Sequence, residues 1–407
     1  MNCLNTKGIV RIRRETILKV LFWMSTSFQT TSRHLLISIL EELQKAGHQV
    51  TVLKKIVNGE SEDLPEELLD KGIDCISVPV KAAPKSNLAA RYIKDVEYIL
   101  NCRKYLNTSY DAVFVQSTNT AGFAFYLLQK KQRTAIKTFN VQDAFPDNAV
   151  FSGTISKTGL LYKVFSKAQG YAYRRADHII TISQDIKELV QEYGITSQKI
   201  DVVFNWSYQD GLFSKETIDT SAVANIFDKG KYHVVYAGNI GLMQSVDTLV
   251  EVACRMQKDA EICFDIIGNG VYREKLQKRV IELGLTNVFF YPMYPAELAP
   301  AIYCSADINV IPLKDKVYRT ALPSKTATCL ASQRPIIFAI GKNSKFGNWI
   351  SAETGCPVVD IDDLDCFVDA IHSLKSGSIN CNTGLAYKKF FSKTINSRRY
   401  VEIITTR

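Results

Sequence analysis

The stretch Arg319-Thr-Ala-Leu-Pro-Ser-Lys325 places two cations and a Pro-Ser pair directly before a run of small residues that predicts a helix. Proline suits the first helical position, and the serine beside it can act as a cap. The free amide groups at a helix start attract anions, and Lys325 adds a full positive charge. These residues are therefore suited to bind a diphosphate. An ordinary turn before a helix explains the same residue types.

Three more loops with ligand-binding character follow predicted strands in the second half of the chain. They are Gly238-Asn239-Ile240-Gly241, Gly268-Asn269-Gly270 and Pro292-Met293-Tyr294. Glycines allow close approach of the backbone to a bulky ligand, and the Met-Tyr pair offers an apolar surface to a base. A tight turn or core packing explains each loop by itself. Because ligands bind outside the carboxyl ends of parallel strands, all four loops together predict one crevice.

The elements that must position these loops alternate between strand and helix patterns, which predicts parallel sheets with crossover helices. We expect a loose leader at 1–17, an N-terminal domain at 18–206, a polar linker at 207–231 and a second domain at 232–385. The last predicted strand of the second domain is 356–360. Residues 386–407 predict a C-terminal helix that crosses back to the first domain. The fold class is α/β, with two doubly wound, Rossmann-like domains.

Composition excludes several classes of function. The net charge of +9 and the pI near 8.9 favour anionic partners such as nucleotides, nucleic acids or acidic lipids. The ten cysteines form no CxxC pair and only five histidines are present, so neither a zinc site nor a disulfide framework is predicted. Signatures of nucleic-acid binding are missing, as is a run of about 18 apolar residues that could span a membrane. Reduced thiols are typical of a cytoplasmic protein.

Asp143 follows a predicted strand of the first half, in a loop that Pro146 closes. A carboxylate at such a strand end could reach the crevice and act as a base, provided that it lies within hydrogen-bond reach of the attacking hydroxyl. Asp147 is its rival, and capping of the following turn explains either aspartate.

Several motifs resemble the donor-binding domain of GT-B glycosyltransferases in retaining family 4. In order between Tyr232 and Phe338, they are YAGNIG, DIIGNG, FYPMYPAELAPAIYCSADINVIPL and LPSKTATCLASQRPII. NVQDAFPDNAVFSG at 140–153 and VVFNW at 202–206 are similar to a subgroup that adds amino sugars to bacterial lipid-linked O-antigen or capsule repeats. The resemblance covers most of the chain and implies a GT-B fold, in which the two domains face a central cleft.

The resemblance also implies roles for single residues. Arg319 and Lys325 would neutralise the departing nucleotide diphosphate, a catalytic role, and Asp143 is the third catalytic candidate. Thr31, Ser32 and Arg33 are expected on the acceptor side. The residues expected to bind the donor are Gly238, Asn239, Gly241, Gly268, Gly270, Met293, Tyr294, Pro323, Ser324 and Thr328.

The chain departs from the family pattern at two places. Many members carry two glutamates eight positions apart, whereas this chain has no acidic residue from Arg319 to Arg334 and has Thr328 at the second position. Gln244 stands where a lysine is frequent. These changes concern the nucleotide and the sugar more than the fold.

We therefore expect a transferase that moves a hexosyl or N-acetylaminosugar unit, with retention, from a nucleotide diphosphate sugar. The acceptor would be a lipid-linked saccharide of O-antigen or capsule biosynthesis. No metal, other cofactor or nucleic-acid partner is expected. Two alternatives stay open: a nucleotide-sugar epimerase, and a non-catalytic nucleotide-sugar-binding partner of another transferase.

The predicted helix from Lys157 to Arg175 mixes basic residues with apolar and aromatic ones. Such a helix can rest on an anionic bilayer, which would place a cytoplasmic enzyme peripherally on the inner face of the cell membrane. A core face opposite a solvated charged face explains the same pattern.

Overall fold

Two parallel β-sheets organise the chain into two α/β domains. The structure, a computed structural model, describes residues 16–30, 32–57, 59–61, 63–83, 88–227 and 230–407. Seven strands form the first sheet and five form the second. The strands are β1 Lys19–Met24, β2 Gln49–Val57, β3 Asp74–Val80, β4 Ala112–Val115, β5 Ile136–Val141, β6 His178–Thr181, β7 Ile200–Val202, β8 Tyr232–Ala237, β9 Ile262–Ile267, β10 Val288–Tyr291, β11 Ile308–Pro312 and β12 Ile336–Ala339.

Helices connect the strands, as expected for parallel neighbours, which need crossover connections. A π-helical turn, Tyr387–Phe391, precedes the last helix. The α-helices are α1 Arg33–Lys45, α2 Leu88–Asn101, α3 Ala121–Lys131, α4 Asp147–Phe151, α5 Leu160–Arg175, α6 Gln184–Gln191, α7 Asp247–Arg255, α8 Arg273–Glu282, α9 Ala299–Ser305, α10 Thr326–Ala331, α11 Lys345–Thr354, α12 Leu364–Lys375, α13 Thr383–Ala386 and α14 Lys393–Thr405.

The strand order fixes where a ligand can bind. It is β3-β2-β1-β4-β5-β6-β7 in the first sheet and β10-β9-β8-β11-β12 in the second, and every pairing is parallel. Strands β4 and β9 are buried along their whole length because helices cover both faces. The order reverses between β1 and β4 and between β8 and β11, and crevices open at such points. The predicted α/β class with two doubly wound domains is confirmed.

The predicted strand at 356–360 is wrong. A single parallel bridge joins Val358 to Phe338 there, and the segment forms no ladder. Proline lacks the N–H that a strand donates, so Pro357 offers only its carbonyl, which accepts from the Phe338 amide. The stretch predicted as a linker, 207–231, is packed, because Phe213, Val223 and Ile226 are buried in the second-domain core.

The C-terminal helix α14 packs against the first domain. Its residues Tyr400, Ile403 and Ile404 are buried with β1, β2 and α1 side chains in one hydrophobic cluster. Residues 1–15 of the predicted leader lie outside the described residues. Across the described residues, no helix has both the length and the apolar character that crossing a membrane requires.

Candidate functional site

A cavity of about 780 Å³ lies between the two domains, and residues of both line it. Its walls come from loops that follow the carboxyl ends of β5, β8 and β11, where the topology places a binding site. Many of the residues singled out from the sequence line this cavity. They are Ser32, Asp143, Gly238, Asn239, Pro323, Ser324, Lys325 and Thr328.

Lys325 is an unpaired cation in the cavity wall. Its Nζ is shielded from solvent and has no hydrogen-bond partner among the described residues. Nζ lies 3.6 Å from the centroid of the Tyr236 ring. Burial lowers the pKa of Lys325 to about 7. Because an isolated charge is costly in such a place, an anion bound in the cavity would supply the missing partner.

The turn before α10 positions Lys325, which stands at the N-cap position of this helix without making a side-chain capping hydrogen bond. Buried Ala327, Cys329 and Leu330 hold α10 in the second-domain core and so fix the direction in which the lysine emerges. The helix has only six residues, so its dipole is small and Lys325 is the dominant positive charge.

The first glycine loop lies against Lys325, and the second supports the first. A Cβ at Gly238 would lie 2.8 Å from Lys325 Nζ, and a Cβ at Gly268 would lie 1.9 Å from the Gly238 carbonyl oxygen. The Ile240 amide donates to the Asn269 carbonyl at 2.8 Å. Gly268 and Gly270 are therefore outside the cavity lining and act on it through the backbone of the first loop. Gly241 also lies outside the lining, beside the Asn239 and Gln244 side chains.

Other predicted residues are not brought into the cavity. Arg319 forms an ion pair with Glu192 of the first domain, so it is not placed beside Lys325. Arg33 pairs with Glu67 at 2.7 Å. Met293, about half exposed, and Tyr294 lie outside the lining, although Ala296 just beyond them belongs to it. Thr31 is outside the described residues.

The two aspartates of the 140–147 loop have different surroundings. Asp143 faces the water of the cleft, and no partner for its carboxylate appears among the described side chains. The cleft walls displace enough water to raise its pKa above the ordinary value. Asp147 is buried and accepts hydrogen bonds from Tyr162 at 2.9 Å and Tyr193 at 3.5 Å. The Asp143 carboxylate is therefore available to a ligand in the cleft, whereas the Asp147 carboxylate is held by two tyrosine hydroxyls.

Sequence reasoning missed a set of neutral amides on the first-domain wall. Asn205 Nδ2 donates to Gln142 Oε1 at 2.7 Å, and Gln142 Nε2 lies 3.2 Å from the Tyr400 hydroxyl of α14. Asn148 Oδ1 and Asn205 Oδ1 are buried without partners among the described residues. Such acceptors suit the hydroxyls of a sugar. Their position just after β5 and β7 was the available signal.

Where the resembled family frequently has a carboxylate, Thr328 provides a hydroxyl. Its Oγ1 lies 3.1 Å from Ser207 Oγ across the domain connection. Gln244, at the position of a frequent lysine, lines the cavity near Asn239. Thr328 and Gln244 are neutral, and no carboxylate of a described residue pairs with Lys325 to compete with an anionic ligand.

Three possible metal ligands cluster away from the cavity, on one face of the second sheet. His233 Nδ1 lies 2.7 Å from Asp265 Oδ2 and 3.1 Å from Cys263 Sγ, and all three residues are buried. They do not line the cavity.

Both domains match known family models. Residues 36–206 match the glycosyl transferase 4-like domain, and residues 218–318 match glycosyl transferases group 1. The chain is 20% identical to the probable glycosyltransferase WbjE of Pseudomonas aeruginosa, over 90% of this chain and 92% of that protein. It is 27% identical to the putative colanic acid biosynthesis glycosyl transferase WcaI of Escherichia coli K12, over 43% of each.

The fold has counterparts among solved structures. Anabaena HepE, determined in complex with UDP and glucose, superimposes with a TM-score of 0.67 at 12% identity, over 95% of this chain and 98% of that one. Two parallel-sheet domains around a cleft form the GT-B fold, and the family models identify a glycosyltransferase. The two family models and the two named relatives together support a glycosyltransferase of family 4.

Proposed function

We propose that the protein transfers a sugar, with retention of configuration, from a nucleotide diphosphate sugar to a lipid-linked glycan during surface polysaccharide biosynthesis. The observation that carries the proposal is the Lys325 Nζ at the wall of the interdomain cavity, which is shielded from solvent and has no hydrogen-bond partner among the described residues. A diphosphate is the anion that a sugar nucleotide would bring to this point. HepE was determined with UDP bound, and WcaI is named for colanic acid biosynthesis. Both facts are consistent with this chemistry.

In the proposed reaction the anomeric carbon–oxygen bond to the diphosphate breaks and the acceptor hydroxyl oxygen bonds to that carbon. Lys325 stabilises the negative charge that develops on the leaving diphosphate. The proton of the hydroxyl passes to a donor phosphate oxygen on the same face of the sugar, so no strong protein base is required. Asp143 accepts a hydrogen bond from the acceptor and orients it, and the closed cleft keeps out the water that would hydrolyse the donor.

Arg319 takes a secondary part in this proposal. Its guanidinium is engaged with Glu192, so it can reach a phosphate only if that ion pair opens. Lys325→Met should therefore lower donor affinity far more than Arg319→Gln. Equal losses in the two variants would instead show that both cations contact the diphosphate.

The acceptor side of the proposal rests on the first-domain wall and on α5. Unpartnered amide oxygens of Asn148 and Asn205 would accept hydrogen bonds from saccharide hydroxyls. Helix α5 exposes Leu160 and Leu161 beside Lys163, which is the mixture that an anionic membrane surface attracts. We place the enzyme peripherally on such a surface, where lipid-linked acceptors reside.

Thermal denaturation with a panel of sugar nucleotides tests the donor part. One donor at about 100 times its Kd should stabilise the wild type by about 2.7 kcal/mol, and Lys325→Met should abolish that stabilisation. Lys278→Met, an exposed substitution on α8 outside the cavity, is the matched control. If no sugar nucleotide stabilises the wild type, the proposal is wrong.

A non-catalytic donor-binding subunit is the second candidate, favoured by Thr328 and Gln244 in place of charged family residues. It predicts donor binding without transfer. Mass spectrometry of a lipid-linked acceptor incubated with the stabilising donor separates the two: an acceptor heavier by one sugar supports the transferase, and an unchanged acceptor with intact donor supports the subunit.

A further inference from the structure

Three surface elements of the first domain are basic and contain no acidic residue. They are the 3₁₀ turn Cys102–Asn107, helix α3 and helix α5. They carry two, two and four Lys or Arg side chains respectively, and no Asp or Glu. None of these eight side chains forms an ion pair with a described residue.

An apolar groove of about 480 Å³ lies among α2, α3 and α5. Its walls include Leu100, Phe123 and Tyr126, whose exposures are 55%, 41% and 52%. The groove exists because α3 and α5 meet closely at Gly122, where a Cβ would lie 2.7 Å from the Ala168 carbonyl oxygen. Apolar surface held open to water in this way is costly unless a partner covers it.

A second pocket, of about 670 Å³, adjoins the groove, and Leu100 lines both. Its cations are Arg103, Lys104 and Lys131. None of the three forms an ion pair with any described residue, and Lys131 Nζ donates only to Asn107 Oδ1, at 2.9 Å. The apolar groove and the basic pocket therefore share Leu100 as a common wall.

Helix α5, which lines part of the groove, also combines exposed apolar side chains with basic ones. It exposes Leu160, Leu161 and Val164 by 76%, 59% and 53%, with Lys163 and Lys167 between and after them. Exposed apolar side chains interspersed with lysines suit the headgroup boundary of an anionic bilayer.

We propose that this surface docks the first domain on a bilayer by binding an anionic phospholipid, with the lipid phosphate in the basic pocket and an acyl chain in the groove. A free phosphate would leave the groove exposed, and an apolar peptide would leave three cations unpaired, so one ligand must supply both parts. The inference deepens the proposed function by defining the membrane contact. Lipid binding itself requires no sugar transfer, so the lipid site and the transferase function can each be refuted without refuting the other.

Vesicle flotation without any sugar nucleotide tests the inference. The wild type should float with phosphatidylcholine vesicles that contain phosphatidylglycerol and stay behind with phosphatidylcholine alone. Arg103→Glu with Lys104→Glu should weaken binding at least about tenfold. Lys275→Glu with Lys278→Glu on α8 makes the same change in net charge on the second domain and should leave most binding intact.

The groove has its own variant and control. Phe123→Ser should weaken vesicle binding about fivefold or more, because the acyl chain loses part of its apolar wall. Ile281→Ser, 77% exposed on the second domain, should not. If the two charge-reversal pairs lower binding equally, attraction is non-specific and the pocket is not the site. If Phe123→Ser binds as the wild type does, or if glycerol phosphate alone competes fully, the acyl-chain part is wrong.

Discussion

At the scale of single residues, the candidate site depends on the ammonium group of Lys325, whose burial without a partner lowers the stability of the fold. Lys325 Nζ is shielded from water and lies over the face of the Tyr236 ring, and no anion among the described residues neutralises its charge. A polar group kept in such a place lowers the stability of the free protein while preparing it for a ligand. Gly238 keeps this space open, because any larger residue would meet Nζ.

Lys325→Met should therefore stabilise the ligand-free protein while it removes donor binding. Methionine fills a similar volume without a charge, and we expect about 1–3 kcal/mol more free energy of unfolding at neutral pH. Urea unfolding of the two proteins without nucleotide measures the difference. Lys278→Met should stay within about 0.5 kcal/mol of the wild type. A clear loss of stability in Lys325→Met would mean that the lysine has a structural partner.

Donor binding should take up protons above about pH 7. The pKa of Lys325 is lowered to about 7 in the free enzyme, and a bound diphosphate raises it again. At about pH 8 the free lysine is mostly neutral and the bound one charged, so uptake approaches one proton; at about pH 6 it approaches zero. Calorimetry in buffers with different ionisation enthalpies measures this number. Lys325→Met should show no lysine-linked uptake, and an identical pH profile in that variant would refute the assignment.

The same lowered pKa sets the sign of a stability effect. Between about 7 and the ordinary value of 10.5, the unfolded chain carries this proton and the folded one does not. The free energy of unfolding should therefore rise with pH across that window, as far as Lys325 determines it.

The candidate site could be located from the sequence more completely than its contacts could. Gly238 and Lys325 follow neighbouring strands of the second sheet and Asp143 follows a strand of the first, so their position at carboxyl strand ends was predictable. The pairing of Arg319 with Glu192 was not, because it joins residues 127 apart in different domains. The contribution of Gly268 to the first loop likewise depends on a backbone contact between two loops, which no residue type reveals.

At the scale of elements, α6 of the first domain is attached to the start of α11 in the second. Asp185 accepts from Ser344 Oγ at 3.0 Å and from the amides of Lys345 and Phe346 at 2.8 and 2.9 Å. One carboxylate thus satisfies the free N–H groups of a helix in the other domain. The sequence pattern predicted a helix close to α6 but none at α11, and nothing in it indicated that one element caps the other.

Asp185→Ala should weaken this interdomain contact by about 2–4 kcal/mol, because buried amide donors are left unpaired. Glu188→Ala on the same helix is the control: it removes only an exposed ion pair with Lys345 and should cost less than about 1 kcal/mol. Chemical unfolding measures both. Equal effects would show that charge, and not capping, joins the two elements.

At the scale of the whole molecule, the chain crosses between the domains twice, first after β7 and again before α14. The return crossing places Tyr400, Ile403 and Ile404 in the first-domain core, so the last helix of the sequence completes the first domain. The Tyr400 hydroxyl donates to Asn140 Oδ1 at 3.1 Å and lies 3.2 Å from Gln142 Nε2 of the first-domain wall. The C-terminal helix therefore contributes both to folding and to the shape of the cleft.

Ile404→Ala should destabilise the protein by about 2–5 kcal/mol, because it opens a cavity in a fully buried site. Ile395→Ala on the same helix removes the same atoms from a side chain that is half exposed, and should cost about 1 kcal/mol or less. Tryptophan fluorescence during urea unfolding measures both, since Trp23 and Trp206 report on the first domain and Trp349 on the second. If α14 is part of the first domain's core, Ile404→Ala lowers the unfolding midpoint of the Trp23 and Trp206 signal, read in a Trp349→Phe background. An unchanged midpoint in that background would show that the first domain folds without its C-terminal helix.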